Sequence, residues 1–216
     1  ALSAVSIAYG ISKFVMGTVS DHSNARVFIP LGLIASAVIM TVMGLIPWTV
    51  SSLSIMLMFC ILFVNGWVQG MGWPPCGRVM THWFSIKERG TWMSFWNCAH
   101  NVGGALVGPM AVYGAAWFGS WFYGADEKSY FLIGTYLFPA AVAILIAIIA
   151  YSMIRDTPQS CGLPSIEKWR NDYADTYDEK SEEVLSTGQI FRTVLTNKFL
   201  WYIAFANAFV YMVRYG

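Results

Sequence analysis

Val27-Phe-Ile-Pro-Leu-Gly-Leu-Ile-Ala-Ser-Ala-Val-Ile-Met-Thr-Val-Met-Gly-Leu-Ile-Pro-Trp48 carries no charged residue from end to end. A bilayer hydrocarbon core about 30 Å thick is crossed by about 20 helical residues rising 1.5 Å each, so this run spans it as one helix. The Ile46-Pro47-Trp48 break closes it. Working outward, Ala1–Val19 precedes it as another apolar run, and Leu53–Trp83, Gly90–Phe118, Tyr130–Ile154 and Phe199–Gly216 follow. The fold class that follows is all-α, a polytopic membrane helix bundle.

Composition agrees. Hydrophobic residues make up 56% of the chain and charged ones 12%, with a mean hydropathy of +0.53, which excludes an ordinary soluble domain. The net charge of +1 says nothing about partners, because in a membrane protein the position of charge matters more than its sum. Cys60, Cys76, Cys98 and Cys161 show neither metal-site nor redox spacing and are expected to be reduced and structural. No signal peptide opens the sequence, and both ends read as cuts inside membrane helices, so a fragment is expected.

Most acids gather in the one long polar stretch, Arg155–Lys198, where Asp156, Glu167, Asp172, Asp175, Asp178, Glu179, Glu182 and Glu183 lie. A connection of that length joins larger units. The expected organisation is therefore a helical bundle over residues 1–154, an inter-bundle linker over 155–198, and the start of a second bundle over 199–216. Lys and Arg fix its orientation: Arg26, Lys87, Arg89, Arg155, Lys168, Arg170, Lys180, Arg192 and Lys198 fall on one side and Lys128 on the other. Positive charge marks the cytoplasmic face, so the linker is expected there, and Trp48, Trp117, Trp121, Tyr123 and Tyr130 form an outer aromatic belt.

Lys13, Arg78 and Arg214 remain inside spans, joined by the titratable imidazole of His100, with no acid beside them in sequence. A charge at the helix centre costs about 2.5–3.5 kcal/mol, so a chain that keeps several needs a compensating partner. An anionic ligand is the expected one. Helical rise puts Lys13 roughly 12 Å from Asp21, and His100 roughly 15 Å from Gly90, both near the midplane. Arg78 lies near the cytoplasmic end of its span, where snorkelling to water and a structural or gating role are expected. Asn97 and His100 are three apart and share a helix face with Trp96 and Asn101 nearby. Tyr211 and Arg214 are spaced alike and set a hydroxyl beside a guanidinium fork suited to an oxyanion. Gly66, Gly70, Gly72, Pro74, Pro75 and Gly77 cluster in one span, and Gly103, Gly104, Gly108 and Pro109 in the next; tight packing is the plain reading of many of these glycines.

Gly17-Thr18-Val19-Ser20-Asp21, followed by Arg26, resembles the loop between the second and third helices of the major facilitator superfamily, and Gly104 to Pro109 resembles a fifth-helix motif of its antiporters. More specific are Gly70-Met71-Gly72-Trp73-Pro74-Pro75-Cys76-Gly77-Arg78, Trp96-Asn97-Cys98-Ala99-His100-Asn101-Val102-Gly103-Gly104 and Asp156-Thr157-Pro158-Gln159-Ser160-Cys161-Gly162-Leu163-Pro164. Together they resemble the organophosphate:phosphate antiporter family. The resemblance covers essentially the whole chain and implies a twelve-helix fold, seen here from the second helix to the start of the seventh.

By that resemblance Lys13, His100, Tyr211 and Arg214 fall on substrate-binding positions, and Asn97, Trp96 and Trp73 line or flank the cavity. Gly66 stands where the superfamily often has an arginine, which weakens proton coupling as the mechanism. The implied activity is exchange of sn-glycerol 3-phosphate, or a similar organophosphate, for inorganic phosphate by alternating access, in the cytoplasmic membrane and as a monomer. No cofactor, metal or nucleic acid is expected. A membrane-embedded organophosphate sensor is the alternative. An enzyme is disfavoured, since the spans carry no carboxylate pair, metal-ligand cluster or Ser/His/Asp set.

Overall fold

A computed structural model describes residues 2–46, 52–122, 127–172 and 186–215, and within them the side chains of 2–4, 52–53, 118–122, 127–132, 187, 211, 214 and 215 lie outside the description. Helices account for nearly all of it, and no strand occurs among the described residues. In chain order they are α1 (Leu2–Asp21), α2 (Ala25–Leu45), α3 (Ser52–Gln69), α4 (Trp73–Trp83), α5 (Ile86–Phe122), α6 (Glu127–Met153), a 3-10 turn (Pro158–Cys161), α7 (Ile166–Arg170), α8 (Thr187–Thr196) and α9 (Lys198–Tyr215). The chain divides into two compact units, Ala1–Ala174 and Asp175–Gly216.

In the first unit α2 and α5 pack along α6, and α1 packs along α3. The α1–α3 contact is close because the crossing residues are small. A Cβ on Gly66 would stand 2.5 Å from the Val5 carbonyl oxygen, and one on Gly70 would collide with the Ser12 side chain. Ser12 is fully buried there and donates to the Trp67 carbonyl, which gives its hydroxyl the partner that burial demands. Between α2 and α3 the Ser36 hydroxyl donates to Asn65 Oδ1 at 2.8 Å. Gly103, Gly104 and Gly108 behave differently: nothing lies within 4 Å of a Cβ built on any of them. Tight packing within this unit explains Gly66 and Gly70, but neither Gly77 in the same cluster nor the α5 cluster, where a Cβ would meet open space.

Three described segments are long and apolar enough to cross a membrane: Ala25–Leu45, Ser54–Trp83 and Ile133–Met153. The second is not one rod. Gly70, Met71 and Gly72 interrupt it as a turn, and α4 restarts at Trp73 with Pro74 in its first turn, where a missing N–H costs nothing. α5 is 37 residues long, about 55 Å of helix, which exceeds the bilayer core.

At the Asp21 end of the unit, Arg78 is bound among carboxylate and carbonyl oxygens. Its guanidinium pairs with Asp156 at 2.7 Å and donates to the carbonyls of Ser20, Asp21 and Ser23. The acid was invisible beside it in sequence because it arrives from the far end of α6. Rather than snorkelling to water, the fork is largely enclosed, its side chain 20% exposed and that of Asp156 12%. Asp156 Oδ1 also accepts the Ala25 backbone N–H at 3.0 Å, one of the orphan donors at the start of α2. Asn24 caps the same helix by accepting from the Arg26 N–H, while Arg26 Nε donates to the Tyr151 carbonyl at 3.0 Å.

The chain after α6 stays with this unit for some distance. Thr157 caps the 3-10 turn, Gly162 takes the left-handed conformation that ends it (φ 75°), and Ser165 caps α7. Asp172, nearly buried, accepts the Lys87 backbone N–H at 3.3 Å and meets its ammonium at 3.6 Å, and Arg170 pairs with Glu88 at 3.0 Å. In the second unit, α8 opens on a capping box between Ser186 and Gln189, and Asn197 leads into α9. The acids at 175, 178, 179, 182 and 183, with Lys180, Trp48 and Tyr123, lie outside the described residues, as do the side chains of Trp121, Lys128 and Tyr130.

Candidate functional site

A cavity of about 490 Å³ opens among α1 to α5, with Tyr9, Gln69, Trp73, Cys76, Trp96 and His100 on its wall. Each arrives for a local reason. Tyr9 is one helical turn before Lys13 on α1, so ring and ammonium share a face. Trp73 is the first residue of α4, and the turn at residues 70–72 lets it step out of line with α3. Trp96 and His100 are one turn apart on α5.

The aromatic residues make a connected set. Trp73 meets Trp96 edge to face with ring centroids 4.2 Å apart, and meets the His100 ring in the same manner at 6.2 Å. The Lys13 Nζ lies 4.2 Å from the centroid of Tyr9 and 5.3 Å from that of Trp73. Its charge thus faces the aromatic wall of the cavity, and among the described residues no carboxylate pairs with it. The structure brings Lys13, Trp73, Trp96 and His100 together. Asn97 lies on α5 one residue after Trp96 and is exposed, as are Gly104 and Gly108.

The remaining candidates sit elsewhere. Arg78, Asp21 and Arg26 belong to the polar end of the unit, away from the cavity wall, with Gly17 on the last turns of α1. Pro109 falls within α5. Tyr211 and Arg214 lie on α9 in the second unit, and their side chains are outside the described residues. Tyr9, like Ser36 and Gln69, is a cavity residue that sequence reasoning did not place in the site; its i, i+4 spacing to Lys13 was the available signal. Among the described residues no group of His, Cys, Asp and Glu could hold a metal ion, and the four cysteines are free.

A bundle of membrane-length helices around a cavity with an aromatic wall, beside which the exposed Lys13 rests, defines an α-helical membrane protein. The chain belongs to the major facilitator superfamily, whose sequence model matches residues 1–216. It is 55% identical over 216 residues to the glycerol-3-phosphate transporter of Bacillus subtilis (strain 168), covering 100% of this chain and 46% of that protein. To the glycerol-3-phosphate transporter of Haemophilus influenzae it is 55% identical over 217 residues, covering 99% and 45%. The membrane sensor protein UhpC of Escherichia coli (strain K12) is 37% identical over 209 residues, covering 96% and 44%. The chain spans about half the length of the curated relatives it matches.

Proposed function

We propose that the full-length protein is a secondary transporter that exchanges sn-glycerol 3-phosphate, or a closely similar organophosphate, for inorganic phosphate by alternating access. The observation that carries this reading is the Lys13 ammonium, held against the cavity wall with no carboxylate beside it among the described residues. A cation kept in such a setting calls for an anion. Identity of 55% to two glycerol-3-phosphate transporters supports the choice of a phosphate monoester.

A phosphate monoester, with a second pKa of about 6, is largely dianionic at neutral pH. Its oxygens would take charge-assisted hydrogen bonds from Lys13 and from His100 on the first bundle, with Asn97 as a further donor. Arg214 and Tyr211 would reach the same anion from the second bundle. Binding then draws the halves together, whereas the empty site keeps like charges facing each other and disfavours the closed intermediate. That asymmetry favours exchange over uniport. The domain plan is a first bundle over 1–154, a cytoplasmic linker over 155–198 and a second bundle from 199, in the cytoplasmic membrane and acting as a monomer.

A sensor reading stays in play because the UhpC sensor is 37% identical over nearly the whole chain. Counterflow in proteoliposomes decides between them. With the full-length protein, external glycerol 3-phosphate should accelerate efflux of trapped labelled phosphate; binding without exchange would favour the sensor.

A further inference from the structure

The Lys13 ammonium rests on two aromatic faces, 4.2 Å from the Tyr9 ring centroid and 5.3 Å from that of Trp73. Both distances lie within the roughly 6 Å reach of cation–π attraction. Neither ring is placed by chance. Tyr9 is fixed by the helix it shares with Lys13, next to Ser12, which is buried and bonded to the Trp67 carbonyl. Trp73 is set by the 70–72 turn and braced edge to face by Trp96 at 4.2 Å. Among the described residues this is the partner the cation has in place of a carboxylate.

We propose that Tyr9 and Trp73 form an aromatic rest that parks the Lys13 ammonium while the site is empty, and that an entering phosphate lifts the ammonium off the rings. The inference rests on the reading of the cavity as a phosphate site and adds to it a device that tunes affinity. Charge-assisted bonds to phosphate are stronger than cation–π contacts, so the transfer runs toward the anion. The attraction given up is subtracted from the affinity for phosphate. An exchanger gains from this, since an anion held less tightly leaves sooner. Tyr9 and Trp73 are then positioning residues, acting on the ligand through Lys13.

The test replaces Tyr9 in the full-length protein with phenylalanine and with its mono-, di- and trifluorinated analogues, which drain the ring face of negative charge at nearly constant size. Inorganic phosphate binding is measured by equilibrium titration of each, in the Lys13 protein and on a Lys13→Met background. Affinity should tighten stepwise, about two- to tenfold from phenylalanine to the trifluoro ring, the range expected from a contact of about 0.5–1 kcal/mol or somewhat more. On the Lys13→Met background the series should be flat and weak. A flat or falling series in the Lys13 protein, or an equal slope without Lys13, overturns the aromatic rest. Phosphate binding that survives Lys13→Met undiminished refutes the phosphate-site reading instead, so the two failures are separable.

Discussion

The Arg78 guanidinium and the Asp156 carboxylate meet at 2.7 Å, and through them the middle of α4 is joined to the ends of α1, α2 and α6. Arg78 belongs to α4 and also holds the carbonyls of Ser20, Asp21 and Ser23, at and just beyond the end of α1. Asp156 follows α6 and also holds the first backbone N–H of α2. A planar fork with five donors can serve these four acceptors at once, more than the three donors of a lysine ammonium provide for. The pair therefore works as a clasp that keeps the first unit together as a body, while the cavity lies elsewhere in it.

Removing the charge from that clasp should cost stability rather than ligand affinity. Exposed ion pairs contribute about 0–1 kcal/mol and breaking a buried one costs about 3–5 kcal/mol; this pair is mostly but not fully enclosed. Asp156→Asn should thus destabilise the protein by about 1–3 kcal/mol, read as a lower melting temperature in detergent. Phosphate affinity of the folded fraction should stay within twofold of wild type.

Gly66 and Gly70 should respond to alanine oppositely to Gly104. Gly66→Ala and Gly70→Ala insert a methyl into backbone and the buried Ser12, so each should lose about 1–3 kcal/mol of stability. Gly104→Ala enters open space and should leave thermal stability unchanged or slightly raised, since alanine is the better helix former.

Asp172 fastens the segment after α6 to the start of α5. Asp172→Ala frees the Lys87 N–H and ammonium together and should cost about 1 kcal/mol. Limited proteolysis checks it: cleavage near Lys168 and Arg170 should become faster, with the transmembrane core left intact.

Much of this arrangement was legible beforehand, and the misses have physical causes. Uninterrupted apolar runs such as Val27–Trp48 announced membrane helices because lipid imposes both length and composition. Lys13 and His100 stood out since a cation or imidazole at that depth needs a reason. The Arg78–Asp156 pair did not, because a contact between residues 78 positions apart leaves no local pattern. The roles of the glycines were indistinguishable in sequence, as a small residue permits close packing without requiring it. Tyr9 was passed over since tyrosine in a span is unremarkable until a cation sits on its face.

Arg214 offers a test in the second unit. Arg214→Lys keeps the charge and loses the planar fork, so phosphate exchange by the full-length protein should fall at least tenfold while expression and melting temperature hold. Undiminished exchange would remove Arg214 from the proposed site.

Equilibrium binding of inorganic phosphate to the full-length protein, wild type against Lys13→Met, goes to the centre of the account. A methionine of similar length keeps the packing and deletes the charge, so affinity should weaken tenfold or more while the melting temperature without ligand stays level or rises. Equal affinity in the two proteins would contradict the claim that the cavity holds its cation for an anionic cargo.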